Sequence, residues 1–347
     1  MKKIIYIVIL VGVIVFFSYQ RGISSSIDKN GEDVVFTVSA GESAEDIADS
    51  LKEKELINSK FYFEIYVAQK RLGEKLQAGE YMLNPSMSIK EIVSKLARGQ
   101  SLSKEREIKI IEGWTIKDIG QYLERESMFQ SEELLELVGF PLVDYRYNKE
   151  ITAPKDYSDK FSFLDDKPKY LSLEGYLFPD TYRVFKDASL DAIVMKMLDN
   201  FDQKLNAEMR KDIKQQGKTI YEIVTMASLI EKEVQSKEDM KVVSGIFWDR
   251  IDDGQALESC ATLAYILGHN KPQYTTEDTK IDSPYNTYQK KGLPPGPICN
   301  PGLQAIKAAI YPTFTDYNYF LTDPETKRTV FSITYQDHLN NKSKYLD

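Results

Sequence analysis

Val34–Lys54 reads VVFTVSAGESAEDIADSLKEK and Ile108–Glu124 reads IKIIEGWTIKDIGQYLE, and these two stretches decide the fold class. Each opens with β-branched and other apolar residues of strand composition, turns at a glycine, and continues with apolar residues at helical spacing. In the first, Ile47, Ala48 and Leu51 fall on one helical face. Gly41 matches Gly113, Asp46 matches Asp118, Ile47 matches Ile119, Leu51 matches Leu123 and Ser59 matches Ser131, each pair 72 positions apart. A constant offset implies two related strand–turn–helix modules, 34–104 and 105–145; the competing account is chance agreement between two amphipathic helices. Phe61–Lys70 (FYFEIYVAQK) extends the first module as helix, Gly79–Leu83 (GEYML) returns as a strand, and a helix follows at Ser88–Ala97. Short strands interleaved with helices predict an α+β fold.

Three hundred and forty-seven residues exceed twice a typical domain, so more than one unit is expected. A net charge of −8 argues against a nucleic-acid partner, which needs a basic face to meet phosphates. Two cysteines and two histidines are too few for a zinc framework, so no metal or cofactor is expected and the chemistry must rest on carboxylates, hydroxyls or amides. His269 and His338 lie in polar stretches, and there is no P-loop, GxGxxG or GxSxG pattern.

At the N-terminus, Lys2 and Lys3 precede an apolar run from Ile4 to Phe17. At about 1.5 Å per residue the run reaches roughly 21 Å, short of a hydrocarbon core of roughly 30 Å, which suits a signal peptide as well as a span. There is no Ala-x-Ala cleavage pattern, and Tyr6, Tyr19 and Lys3 extend the effective span, so residues 1–20 are read as a single-pass anchor in the cytoplasmic membrane. The lysines then lie in the cytoplasm and the remaining chain outside; cleavage near Ser24 or Ser26 is the alternative. Residues 21–33, rich in serine and polar residues, read as a tether.

Thr219–Gln235 (TIYEIVTMASLIEKEVQ) holds the most informative carboxylate. At about 100° per residue, Ile220, Ile223, Val224, Met226, Ala227, Ile230 and Val234 form one apolar stripe, and Glu231 falls inside it. Glu222, Lys232 and Glu233 fall on or beside the polar side. A carboxyl on an apolar face is penalised when ionised and holds its proton to higher pH, which is the state a general acid needs to protonate a glycosidic oxygen. The plain alternative is a structural ion pair with a lysine or arginine.

Three further stretches point toward a carbohydrate site. Leu173–Tyr182 (LEGYLFPDTY) gathers aromatics around Glu174 and Asp180, fitting either a wall that stacks on sugar rings or an aromatic core strand. Ser283–Tyr288 (SPYNTY) leads into Gly292–Gly302 (GLPPGPICNPG), whose prolines and glycines make a stiff, shaped loop. Residues 142–169, polar and containing Pro154 and Pro168, mark a boundary.

LEGYLFPDTY, ASLIEKEV, SPYNTY, GLPPGPICNPG and the terminal FSITYQDHL (Phe331–Leu339), in this order, closely resemble the endolytic murein transglycosylases, the YceG-like or MltG family. The similarity runs from Val34 to the C-terminus. It implies a membrane-anchored lyase that cuts peptidoglycan glycan strands internally, between N-acetylmuramic acid and N-acetylglucosamine, leaves 1,6-anhydro ends, and limits nascent strand length. Peptidoglycan glycan strands would be the substrate, with the cytoplasmic membrane and penicillin-binding proteins or other synthases as partners. Glu231 occupies the position of the family's acid/base, and Glu174, Tyr285, Asn286 and Tyr288 lie in motifs that line its cleft. Leu257–Cys260 (LESC) departs from the family's pattern of leucine-glutamine followed by serine or threonine and aspartate.

The first module is similar in topology to LysM-type glycan binders; a plain spacer is the alternative. The resulting map is an anchor at 1–20, a tether at 21–33, a LysM-like module at 34–104, a second small module at 105–145, a linker at 146–169 and an α+β catalytic domain at 170–347, with the Glu231 helix set against a sheet. Cys260 and Cys299, both placed outside the membrane, are read as either a disulfide clamping the proline-rich loop or two independent buried thiols. A muramidase-type hydrolase and a non-catalytic wall-binding scaffold are the rival functions.

Overall fold

The computed structural model describes residues 12–13, 16–28, 31–101, 105–271, 274–324, 326 and 328–346. The chain divides into two compact units, Met1–Ile108 with Arg183–Ala188 and Lys109–Tyr182 with Ser189–Asp347. The segment 109–182, which holds most of the second module and all of 146–169, therefore belongs to the same unit as the Glu231 helix.

In the first unit, β1 (Val34–Val38) leads to α1 (Ala44–Glu53) and α2 (Lys60–Gln69), and β2 (Gly79–Leu83) leads to α3 (Ile89–Ala97) and β3 (Glu105–Lys109). β1 and β2 pair antiparallel, Val34 opposite Leu83 and Val38 opposite Gly79. Alternation turns Phe36, Val38, Tyr81 and Leu83 inward, where they meet Ile47, Leu51, Phe63, Ile92 and Leu96 in one core. Capping boxes at Ser43 with Asp46 and at Ser88 with Glu91 satisfy the first amides of α1 and α3.

Much of the expected tether is docked on this core instead of hanging free. Residues 16–24 are helical. Ile23 is buried, Gly22 lies so close to the Tyr62 ring that a Cβ would collide with it, and the Tyr19 hydroxyl donates to Gln69 Oε1 at 2.7 Å. The Ile27 and Asp28 amides both donate to Pro85 O. Burying Ile23 and bonding these amides outweighs the serine-rich composition that suggested a flexible segment. Most of the apolar run expected to form the anchor lies outside the described residues; among those described, no helix is long and apolar enough to cross a membrane.

After β3 the chain forms α4 (Ile116–Arg125), α5 (Ser131–Val138), β4 (Thr181–Phe185), whose last three residues belong to the first unit, and then, in the second unit, α6 (Leu190–Lys204), α7 (Ala207–Gln215), α8 (Ile220–Glu233), α9 (Lys237–Asp252), α10 (Cys260–Leu267), α11 (Leu303–Ile310), β5 (Tyr319–Thr322), β6 (Thr329–Ser332) and α12 (Tyr335–Tyr345); α4 and α5 lie in the second unit as well. β3 and β4 make one two-stranded sheet, and β5 and β6 another, antiparallel.

The repeat is carried in the backbone. Gly41 and Gly113 both have positive φ, +84° and +79°. Seventy-two positions apart again, Glu55 and Ser127 share a φ of +54° although their side chains have nothing in common. The amide after each folds back in the same way, Leu56 N to Leu51 O and Met128 N to Leu123 O. Thr115 and Asp118 form the same capping box as Ser43 and Asp46.

One expectation about the second unit is corrected, and one pair of alternatives is decided. α8 packs against helices α7, α9, α10 and α11, not against a sheet. Every residue from Ile223 to Ile230 is buried, so the apolar stripe is only part of a helix enclosed on nearly all sides. The aromatics of LEGYLFPDTY are core: Tyr176, Phe178 and Tyr182 are buried, and Tyr176 packs with Phe163 and Phe201, leaving no ring free to stack on a sugar.

Candidate active site

α8 begins at a Thr219–Glu222 capping box and ends where Val234 turns to extended backbone, which places Glu231 and Glu233 in its last turn. Along one face, Tyr221, Ser228 and Glu231 lie at spacings of seven and three, near whole turns of helix. The proline-rich loop binds to that face. Tyr221 Oη donates to Pro295 O, Ile298 N donates to Ser228 Oγ at 3.0 Å, Cys299 Sγ donates to Ser228 O at 3.3 Å, and Gly302 N donates to Glu231 Oε2 at 2.9 Å. The stiffness expected of this loop is thus matched by a series of bonds to the helix that carries the acid.

Glu231 is half-buried. Burial pushes its carboxyl above the ordinary value of 4.5; the Gly302 amide opposes that rise and the neighbouring Glu112 adds to it. Among the described residues no arginine pairs with it, and the Lys232 ammonium instead donates to Gly113 O at 3.3 Å. Glu233, expected near the polar side, is also enclosed: its Oε1 accepts from Ser259 Oγ, and burial raises its pKa too.

Asn300 joins three chain segments beneath this face. Its Oδ1 accepts from Gly175 N at 3.0 Å and Leu177 N at 2.9 Å, and its Nδ2 donates to Trp114 O at 3.0 Å and Glu174 Oε1 at 3.1 Å. Its backbone bonds to Trp114 O and Gly113 N as well. Glu174 is 2% exposed and also accepts from Ile116 N at 3.0 Å and Tyr265 Oη at 3.3 Å. Complete burial outweighs these donors and pushes its pKa up to about 8. Gly175 must be glycine: its φ is +92°, and a Cβ would lie 2.6 Å from Pro297.

The structure brings Glu231, Glu174 and Tyr285 into one region, the last through the Tyr265 ring, whose centroid lies 5.4 Å from that of Tyr285. Glu174 and Asn286 are closed off from solvent. Asn286 Nδ2 donates to Thr279 O and Ile281 O, and its Oδ1 accepts from Tyr288 N, so it organises the SPYNTY loop from within. Tyr288 lies elsewhere, its hydroxyl 3.0 Å from Cys260 Sγ beside a second cavity of about 280 Å³ that Glu233 also lines. The disulfide reading is corrected: Cys260 and Cys299 are both free, the first exposed and the second buried against Ser228. A cleft of about 220 Å³ is lined by Lys117, Asp118, Lys232, Tyr265, His269 and Ile298, and supplies room beside the acid's helix. Among the described residues no group of histidine, cysteine and carboxylate side chains is arranged to hold a metal.

Sequence reasoning missed Asn300, Tyr265, Tyr221 and Glu112. Two left a signal: Asn300 lies in the proline-rich loop already singled out, and Glu112 stands beside the repeated glycine where the first module has Ala40.

A model of the YceG-like family matches residues 36–344. The chain belongs to the YceG-like family. A curated endolytic murein transglycosylase of Bacillus subtilis is 31% identical over 95% of this YceG-like chain and 90% of its own length. One from Streptococcus pneumoniae is 29% identical over 96% of the chain, which spans only 62% of that longer protein. The crystal structure of a YceG-like protein from Listeria monocytogenes, 33% identical, matches 90% of this chain and 100% of its own with a TM-score of 0.57.

Proposed function

We propose that this YceG-like protein is a peptidoglycan lytic transglycosylase that cuts glycan strands internally, with Glu231 as its single acid/base. The observation that carries the reading is Glu231 itself: a half-buried carboxyl at the end of an enclosed helix, paired with no arginine among the described residues, with burial raising its pKa and one backbone amide fixing its orientation. The curated relatives named endolytic murein transglycosylases support the substrate class.

In the proposed reaction Glu231 gives its proton to the glycosidic oxygen as the C1–O bond breaks and the electron pair leaves with that oxygen. The carboxylate then takes the proton of the muramyl C6 hydroxyl as its oxygen bonds to C1, closing a 1,6-anhydro ring. No water is consumed and no nucleophilic carboxylate is needed, unlike hydrolysis through a covalent intermediate. The lysines and apolar run at the N-terminus support a membrane attachment that places this site on the outer face, where the wall is.

The test is digestion of purified glycan strands followed by mass analysis of the new ends. Anhydro ends are expected, and Glu231→Gln is expected to lower the rate by about 10²–10⁴-fold with the fold intact. Reducing muramic ends would instead identify a hydrolase, and undiminished cleavage by the Gln variant would remove Glu231 from the chemistry.

A further inference from the structure

Glu112 occupies the turn that opens the second module, immediately before Gly113, and its side chain is exposed. It reaches Gly302, where a Cβ would collide with the Glu112 carboxylate and lie 2.8 Å from its Cγ. Gly302 is the residue whose N–H holds Glu231 Oε2 at 2.9 Å. A Cβ on Gly113 would in turn lie 3.6 Å from Glu231 Cγ, so the turn bearing Glu112 leans directly on the acid.

Resting on the lytic reading of the site, we propose that Glu112 is a positioning residue for Glu231: both acidic side chains lie against Gly302, and Glu112 acts on the reaction through Glu231. The charged and titratable groups around Glu231 are Glu112 from the turn, Lys232 from its own helix and the Cys299 thiol from the loop. Lys232 favours an ionised Glu231 and is partly engaged by Gly113 O; Glu112 opposes ionisation. A negative charge beside the acid keeps its proton in place until the glycosidic oxygen takes it. Once the leaving group has departed, the same charge strengthens Glu231 as the base that removes the C6 hydroxyl proton. The single acid/base thus has a second carboxylate beside it that never bonds to the sugar.

The experiment compares pH profiles of kcat/KM for the full chain on purified glycan strands, unsubstituted and as Glu112→Gln and Glu112→Asp. A general acid loses activity as pH rises through its pKa, so removing the neighbouring charge should move the basic limb of the Gln variant down by roughly one pH unit. Glu112→Asp keeps the charge and should hold the limb near its original position. Because Glu112 is exposed, thermal unfolding should be unchanged in both. A Gln profile that overlays the unsubstituted one, or an equal loss at every pH in both variants, overturns the proposal. These outcomes are separable from failure of the lytic reading, which would appear as reducing ends or as activity retained by Glu231→Gln.

Discussion

At residue 41 and again at residue 113 the chain makes the same glycine turn between a strand and a capped helix, with φ of +84° and +79°. Around Gly41 nothing lies within 4 Å of where a Cβ would stand. Around Gly113 stand Glu231, Lys232 and the backbone of Asn300. The residue before the first turn is Ala40, and before the second it is Glu112. Glu42 in the first turn bonds locally to Ser39 N, whereas Trp114 in the second gives its carbonyl to Asn300. Two copies of one local structure therefore serve differently: the first is a self-contained packing unit, and the second is built into the wall of an acid site. The local backbone follows from short-range capping and turn chemistry, so it survives divergence, while the role follows from what the fold brings to the turn.

The strongest test of that contrast is Asn300→Ala. It leaves the Gly175 and Leu177 amides unpaired in a buried place and takes a donor from Glu174, so a loss of about 3 kcal/mol or more is expected in urea unfolding, together with loss of cleavage. A loss below about 1 kcal/mol would mean that the second turn is not held by this residue.

Next comes a pH dependence tied to the second module, where Ile116 N, at the start of α4, bonds to Glu174. Glu174 titrates at about 8 in the folded protein against an ordinary value of 4.5. The folded state thus keeps a proton that the unfolded chain releases. The contribution of this group is fully present below about 4.5 and is lost as pH rises toward about 8. Unfolding across that window should show the decline, and Glu174→Gln should flatten it; an unchanged slope in the variant would assign the decline to other groups.

The glycines come third. Gly41→Ala and Gly113→Ala each force a left-handed conformation and should each cost roughly 1–2 kcal/mol. Only the second should also slow glycan cleavage, by up to about 100-fold, because it shifts the surroundings of Glu231. Equal effects on activity would break the contrast. Smallest of all, Ser43→Ala and Thr115→Ala should each lower stability by about 1 kcal/mol, equally, since the two capping boxes are the same local device.

Much of this architecture was legible in the residues themselves. Strand composition followed by a glycine and an amphipathic helix marked both stretches, and helical periodicity singled out Glu231; the helix caps were not read. Glu233 was misplaced because a wheel describes one helix against one surface, and α8 is enclosed by four others. LEGYLFPDTY allowed both a sugar wall and a core strand, and only the packing of Tyr176 against Phe163 and Phe201 decided for the core. The docked segment around Ile23 was hidden for a related reason: its serines report polarity and say nothing of the core that Ile23 joins.

By itself, then, the amino-acid order determined the local elements, their repetition, the stiffness of the Gly292–Gly302 loop and the presence of one carboxyl on an apolar helical face, because these depend on neighbours a few residues apart. Only the tertiary structure decided that Asn300 would tie residue 114 to residues 174–177, that the two cysteines would face different neighbours, and that Glu112 and Glu231 would both lie against Gly302. Those meetings join residues as much as 186 positions apart in the chain, and their geometry is set by how helices and loops pack, which no local pattern encodes.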